Sequence, residues 1–301
     1  MNKKIGISTF YFQKELGDRQ ALALAAEIGA EGIDFNLCDY DDRRPGNLYT
    51  KSEEEIVAYC TALREYAASL GLVFVQTHGR ITGYQSRQEE DEALIRNARL
   101  DCLATRALGA SVCVMHTVSN SVYGADAPAA LMHEKNDAFF LSVLPFAKEF
   151  EIRIATETYG ICGYTKTCET FGLIPEFIAA YDRLAAHKEL GKHLTVCMDT
   201  GHTHNATQFP GAIPVGEAIR RLGKRIAVLH LHDNNGYADQ HTMPMAGTAD
   251  WQDILQALEE TGFDGYYNLE LSPTHFGPAL AKEEAAFAIK IMRNLLDGME
   301  K

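Results

Sequence analysis

A chain of 301 residues, 46% of them hydrophobic, is long enough for one α/β barrel or for two smaller domains. Its formal net charge of −13 argues against nonspecific nucleic-acid binding, where basic contacts to phosphate carry the affinity. No apolar run approaches transmembrane length, and the N-terminal MNKKIGISTF passes from two lysines into a strand pattern without the apolar core of a signal peptide.

The first β-rich run is KIGIST (4–9), followed by Phe10 and Tyr11, and the second is GIDFN (32–36), which ends on Asn36. Ser52-Glu53-Glu54-Glu55 then carries a capping-box signature. It opens a helix with Ile56, Cys60, Leu63, Ala67 and Leu70 on one face, and Gly71 stops it. Runs three and four are LVFVQTH (72–78) and SVCVMH (111–116). Asp126 and Pro128 start a helix to about Phe150, and IRIATE (152–157) follows. The stretch 158–172 is long for a strand-to-helix loop and predicts a lid. Runs six to eight are LTVCMD (194–199), IAVLHLH (226–232) and YYNLEL (266–271), and a last helix places Ala281, Ala285, Ala288, Met292 and Leu295 on one face.

These runs lack strict polar alternation, as expected of parallel strands buried on both faces. Strand-helix alternation repeated eight times predicts a (β/α)8 TIM barrel, a single domain over residues 1–301, with a doubly wound sheet as the alternative pattern. The seven cysteines are dispersed without a CxxC and read as free thiols in a reducing cytoplasm.

The strand ends carry the chemistry. Run three ends at His78, run four at His116, run five at Glu157 and run six at Asp199, while run seven gives His230 and run eight Glu270. In a barrel these C-terminal edges meet at one mouth, where the active sites of this fold lie. A single histidine after a strand is most often a hydrogen-bonded structural group. Glu157 and Glu270 are harder to explain that way, because a carboxylate at the end of an apolar inner strand is costly unless paired. Arg80, Arg153 and Lys166 are the nearby candidates for such pairing. In Asp199-Thr200-Gly201-His202 the glycine lets the chain turn at once and the histidine points back over the mouth; the plain alternative is a turn capped by Asp199. His204 and Asn205 read equally as site support or as surface. His232 lies two residues beyond His230 and can replace it as a ligand, and Asp233 can orient either imidazole. Arg80 and Trp251, the only tryptophan, are read as further mouth residues. With no glycine-rich phosphate cradle, free and phosphorylated substrates both stay open.

Several stretches together resemble the xylose-isomerase-like TIM-barrel superfamily of sugar isomerases, epimerases and apurinic-site endonucleases. They are GAEGIDFN (29–36), the Glu157 strand end, DTGH (199–202), HLHDN (230–234), Asp239 and His241 followed by Gly247 and Trp251, and GYYNLEL (265–271). Resemblance to the ketose 3-epimerases implies one divalent ion (Mn, Mg, Co or Zn) held by Glu157, Asp199, His230 and Glu270. Oxygen-rich ligation leans to Mn or Mg. The resemblance also implies Glu157 and Glu270 as the catalytic acid/base pair, working through a metal-stabilised enediolate, and His202 as a substrate contact. His78, His116, Arg80, His241 and Trp251 are expected to contact substrate as well. The arginine that those epimerases carry just past the seventh-strand histidine is replaced here by Gly236 or Tyr237.

The apurinic endonucleases imply a three-zinc set instead, matched by His78, His116, Glu157, Asp199, His202, His230, Asp239, His241 and Glu270. Against that stand the acidic net charge and the absence of any lysine or arginine between 234 and 251. The expectation is therefore a metal-dependent isomerase or epimerase acting on a keto-sugar or cyclitol, without nucleic-acid or membrane partners and with homo-oligomerisation left open. A dehydratase or lyase of an inosose or keto-glycoside, a nuclease and a non-catalytic polyol-binding barrel are the alternatives.

Overall fold

In a computed structural model, residues 3–299 are described; Met1, Asn2, Glu300 and Lys301, inside the expected 1–301 span, lie outside the described residues. Eight parallel strands follow the order of the eight β-rich runs: β1 (Ile5–Ser8), β2 (Gly32–Asn36), β3 (Val73–His78), β4 (Val112–Met115), β5 (Arg153–Glu157), β6 (Leu194–Asp199), β7 (Ile226–His230) and β8 (Tyr267–Leu269). Each of β1 to β6 pairs with the next in sequence, and β1 also pairs with β8. Leu231 closes the ring. Its N–H donates to the Asn268 carbonyl at 2.8 Å, and its own carbonyl accepts from Glu270 N at 3.1 Å. The architecture is a (β/α)8 barrel, with helices packed outside the strands.

Local chemistry places the elements as the pattern predicts. Ser52 Oγ accepts from Glu55 N at 3.3 Å while Glu55 Oε2 accepts from Ser52 N at 3.0 Å, so the capping box opens the helix Glu53–Ser69. Ile56, Cys60, Leu63 and Ala67 are its buried face, and Gly71 follows its end with φ +79°. The helix after Pro128 covers Ala129–Glu149. All seven cysteines are free thiols. Among the described residues no helix is long and apolar enough to cross a membrane.

Two register shifts bear on the site. Between β2 and β3, Ile33 pairs with Phe74 but Asp34 pairs with Gln76, so Val75 is an extra residue. Between β6 and β7, Val196 pairs with Ile226 but Cys197 with Val228, so Ala227 is extra. One extra residue exchanges the faces of everything downstream on that strand. After the second shift Asp199 and His230 stand side by side in register.

Candidate active site

The C-terminal strand edges surround a cavity of about 220 Å³ lined by Glu157, Glu270, Asp239 and the histidines 78, 116, 202 and 241. Phe10, Ile81, Tyr159 and Leu271 give it apolar walls, and no lysine or arginine among the described residues lines it. Glu157, Asp199, His230 and Glu270 each bring a ligand atom to within 4.8 Å of the others. His230 Nδ1 lies 3.3 Å from Glu157 Oε1, 3.4 Å from Glu270 Oε2 and 3.9 Å from Asp199 Oδ2. His78 Nε2 and His116 Nε2 approach Glu157 Oε2 at 3.5 and 3.1 Å. Despite these distances, both Glu157 oxygens and His230 Nδ1 are buried without a partner in hydrogen-bond geometry. Their lone pairs converge on shared space rather than on each other. Buried carboxylates and imidazoles arranged this way fit a divalent cation.

His230, the last residue of β7, and His232 just beyond it sit differently. His230 faces Glu157 and Glu270, whereas His232 Nε2 lies 3.0 Å from Asp199 Oδ1 and its ring stacks on His241 at 3.8 Å. His232 belongs to a second group, with His202, Asp239 and His241, whose ligand atoms also converge within 4.8 Å. His241 is held there with φ +46°, an uncommon left-handed conformation for a residue other than glycine.

Electrostatics tie these side chains together. Burial opposes charge on Glu157, but the His116 and His230 imidazoles beside it hold its carboxyl well below the usual range. Burial also opposes charge on His202, yet Asp199 and Asp239 hold its imidazolium well above the ordinary value. Against the same burial penalty, Asp239 pushes His241 up to about 9. His78 is pushed down, because burial outweighs the attraction of Glu157 and Glu270.

Four expectations need correction. Arg80 is turned away from the mouth: its guanidinium grips the buried Asp101 at 2.7 and 3.0 Å and donates to the carbonyls of Leu37 and Tyr40. Trp251 is buried at the start of the helix Trp251–Glu260 and donates from Nε1 to Asp233 Oδ2 at 2.8 Å. Asp233 therefore does not orient an imidazole. Its other oxygen accepts from Asn234 N and Ala249 N, which staples both ends of the loop after β7. Finally, Gly201 in Asp199-Thr200-Gly201-His202 does not turn the chain at once. The segment opens a helix, Thr200–Ala206, capped by Asp199 Oδ1 accepting from His202 N at 2.6 Å. Gly201 is required for space and not for an unusual φ, since a Cβ there would fall inside the His232 ring.

The stretch expected to form a lid is tied down. Ile161 and Cys168 form an antiparallel bridge, and the buried Glu169 accepts from Ser119 Oγ and Asn120 N, each at 2.6 Å. Asn205 Oδ1 holds Ile161 N at 2.8 Å, which gives that residue a supporting role. His204 lies outside the cavity lining, 2.9 Å from Thr248 Oγ1. Sequence reasoning missed Tyr159, Cys38, Ile81, Leu271 and Ser272 on the cavity wall, where no residue type marks them. It also passed over Asp34, which a carboxylate in the middle of the apolar GIDFN strand does signal.

The family profile described as xylose isomerase-like TIM barrel matches residues 22–291. The chain belongs to this family. Among curated relatives of this xylose isomerase-like barrel, the uncharacterized protein MJ1311 of Methanocaldococcus jannaschii is 30% identical over 42% of this chain and 42% of its own. The uncharacterized protein y4fM of Sinorhizobium fredii is 26% identical over 65% of this chain and 57% of its own. The chain thus spans about half the length of these curated relatives. Solved structures with the same fold include a D-tagatose 3-epimerase-like protein (TM-score 0.73, 18% identity, 98% and 97% of the two chains). D-psicose 3-epimerase with D-tagatose from Clostridium cellulolyticum H10 is another (0.72, 16%, 97% and 99%). The IOLI protein with a zinc atom is a third (0.72, 16%, 98% and 98%). At these identities the likeness to the xylose isomerase-like barrel is one of fold.

Proposed function

We propose that the protein is a divalent-metal-dependent sugar isomerase or epimerase acting on a ketose or related keto-sugar. The observation that carries this reading is the convergence of Glu157, Asp199, His230 and Glu270, with buried lone pairs left unpartnered, at a cavity lined by both glutamates. Epimerases among the solved structures of this fold support it. A bound ion supplies a Lewis acid for the sugar carbonyl and its neighbouring hydroxyl. Glu157 and Glu270 come from β5 and from the residue after β8, so they reach the cavity from different sides of the mouth. One accepts the proton from the carbon beside the carbonyl, and the other returns a proton to the opposite face. His202, with its imidazolium favoured by Asp199 and Asp239, is placed to donate to a substrate oxygen. Phe10, Ile81, Tyr159 and Leu271 offer apolar surface to the C–H face of a sugar or cyclitol. Seven dispersed free thiols fit a cytoplasmic setting.

The test is a screen of ketoses, inososes and 3-keto-glycosides by NMR in D2O with Mn or Mg added. A true substrate gains deuterium at the carbon beside its carbonyl, chelator abolishes the exchange, and Glu157→Gln and Glu270→Gln each abolish turnover. Normal turnover by both variants refutes the acid/base assignment. A second reading rests on the convergence of His202, His232, Asp239 and His241, which adds a second metal position as in the multinuclear endonucleases. The cavity's lack of lysine and arginine weighs against a phosphodiester substrate. Elemental analysis separates the two: one ion per chain supports the isomerase, three zinc ions the nuclease.

A further inference from the structure

We infer that Asp34 is the positioning residue for His230, holding the imidazole by Nε2 so that the Nδ1 lone pair faces the carboxylates of Glu157, Asp199 and Glu270. The inference rests on the reading that this cluster binds a divalent ion. Asp34 lies on β2 with no exposed surface, across the barrel interior from β7. Its Oδ2 is 2.9 Å from His230 Nε2 and also accepts from Gln76 Nε2 and Asn268 Nδ2, each at 3.2 Å. The register shift at Val75 is what sets Gln76 beside Asp34. Among the described residues His230 is the only ion-pair partner of this carboxylate.

Burying a carboxylate so deep is costly unless its oxygens are paired. Asp34 Oδ1 instead has no partner. What Oδ2 accomplishes is a choice of tautomer. A carboxylate oxygen facing Nε2 favours the tautomer with the proton on that nitrogen when a cation is bound, which leaves Nδ1 to meet the cation. Nδ1 faces two carboxylates 3.3 and 3.4 Å away. A cation shared by these atoms would meet Nδ1 and the carboxylates at once, since one ligand atom from each of Glu157, Asp199, His230 and Glu270 lies within 4.8 Å of the others. Gln76 and Asn268 hold the Asp34 oxygen in place, and His78 stacks on the His230 ring with planes 13° apart, so rotation of the ring is restrained from two directions. Such a carboxylate–histidine–metal relay raises ligand basicity, and disrupting one typically weakens metal binding about 10–100-fold.

The test uses the full chain stripped of ion by chelator. Wild type, Asp34→Asn and Asp34→Ala are titrated with Mn(II) by calorimetry, and thermal unfolding of the ion-free forms is followed alongside. The Asn variant nearly keeps the shape, yet its amide fits either tautomer. It is expected to bind Mn(II) about 10–100-fold more weakly while remaining folded. A purely structural Asp34 would lower the unfolding temperature and leave the affinity of the folded protein unchanged. Should both variants fail to fold, histidine 15N NMR of the Zn(II)-loaded wild type decides, with His230→Asn assigning the signal. Nε2 must be protonated and Nδ1 metal-bound. A proton on Nδ1, or a folded Asn variant binding as tightly as wild type, overturns the inference. If wild type binds Mn(II) and only the Asp34 comparison fails, the metal-site reading stands without it; if wild type binds no divalent ion, both fall.

Discussion

Replacing Arg80 with Met tests whether this side chain serves the substrate or the scaffold. In the structure the guanidinium meets Asp101 through two contacts of 2.7 and 3.0 Å, and Asp101 has no exposed surface. Without Arg80 that carboxylate keeps only the Tyr49 hydroxyl at 2.8 Å and stands as a buried charge without a cation. Removing one partner of such a pair costs about 3–5 kcal/mol. Unfolding entropy near 60 °C is about 2.1 cal/mol/K per residue, or about 0.6 kcal/mol/K for 301 residues. The melting temperature should therefore fall by about 5–8 °C. Differential scanning calorimetry reads that shift, and Mn(II) titration should show metal affinity unchanged, because the side chain does not line the cavity. Combining Arg80→Met with Asp101→Leu should recover much of the loss, since a buried pair replaced by apolar groups is often neutral or stabilising. A melting temperature within about 1 °C of wild type, together with a raised KM, would refute this reasoning and return Arg80 to the mouth.

Two further outcomes follow from the site. His202→Ala should retain the ion at Glu157, Asp199, His230 and Glu270 after dialysis, as elemental analysis reads it, while turnover falls about 100-fold or more with the loss of a charge-assisted donor; loss of the ion would make His202 a ligand. In the ion-free protein His241 is raised from 6.5 to about 9, so its contribution to stability is complete below pH 6.5 and is lost as pH rises through 9. Chemical unfolding across that window should show stability falling with pH, and His241→Gln should flatten that part of the profile.

The barrel was legible because each strand is a short apolar run bounded by helix signals, and because Ser52 and Glu55 write a cap in four letters. The ring of His78, His116, Glu157, Asp199, His230 and Glu270 was legible for a related reason. Polar side chains at the ends of buried strands have few explanations. Arg80 and Trp251 failed because their position along the chain places them at the mouth, while their direction depends on partners far away in sequence. Asp101 lies on the helix Gln88–Leu108 and Asp233 follows β7. The separation of His230 from His232 also escaped alternation. It rests on β7 ending at His230 and on the ring of His241 arriving to stack on His232. Gly201 shows the same limit, since its neighbour His232 lies thirty-one positions away.

The histidines and carboxylates that line the cavity come from β3 to β8 and the segments after them, whereas Phe10 and Cys38 reach the cavity from the segments after β1 and β2. Around the rim, the demands of coordination therefore fall on one arc and leave the other free of them. Phe10 and Cys38 can be exchanged without touching any of Glu157, Asp199, His230 and Glu270, so on the proposed function substrate preference could change there while the acid/base pair stays fixed. A designer inherits the same partition: under that reading, changes at Phe10 and Cys38 would tune selectivity, and divalent-ion binding would report independently whether the cluster beneath them is intact.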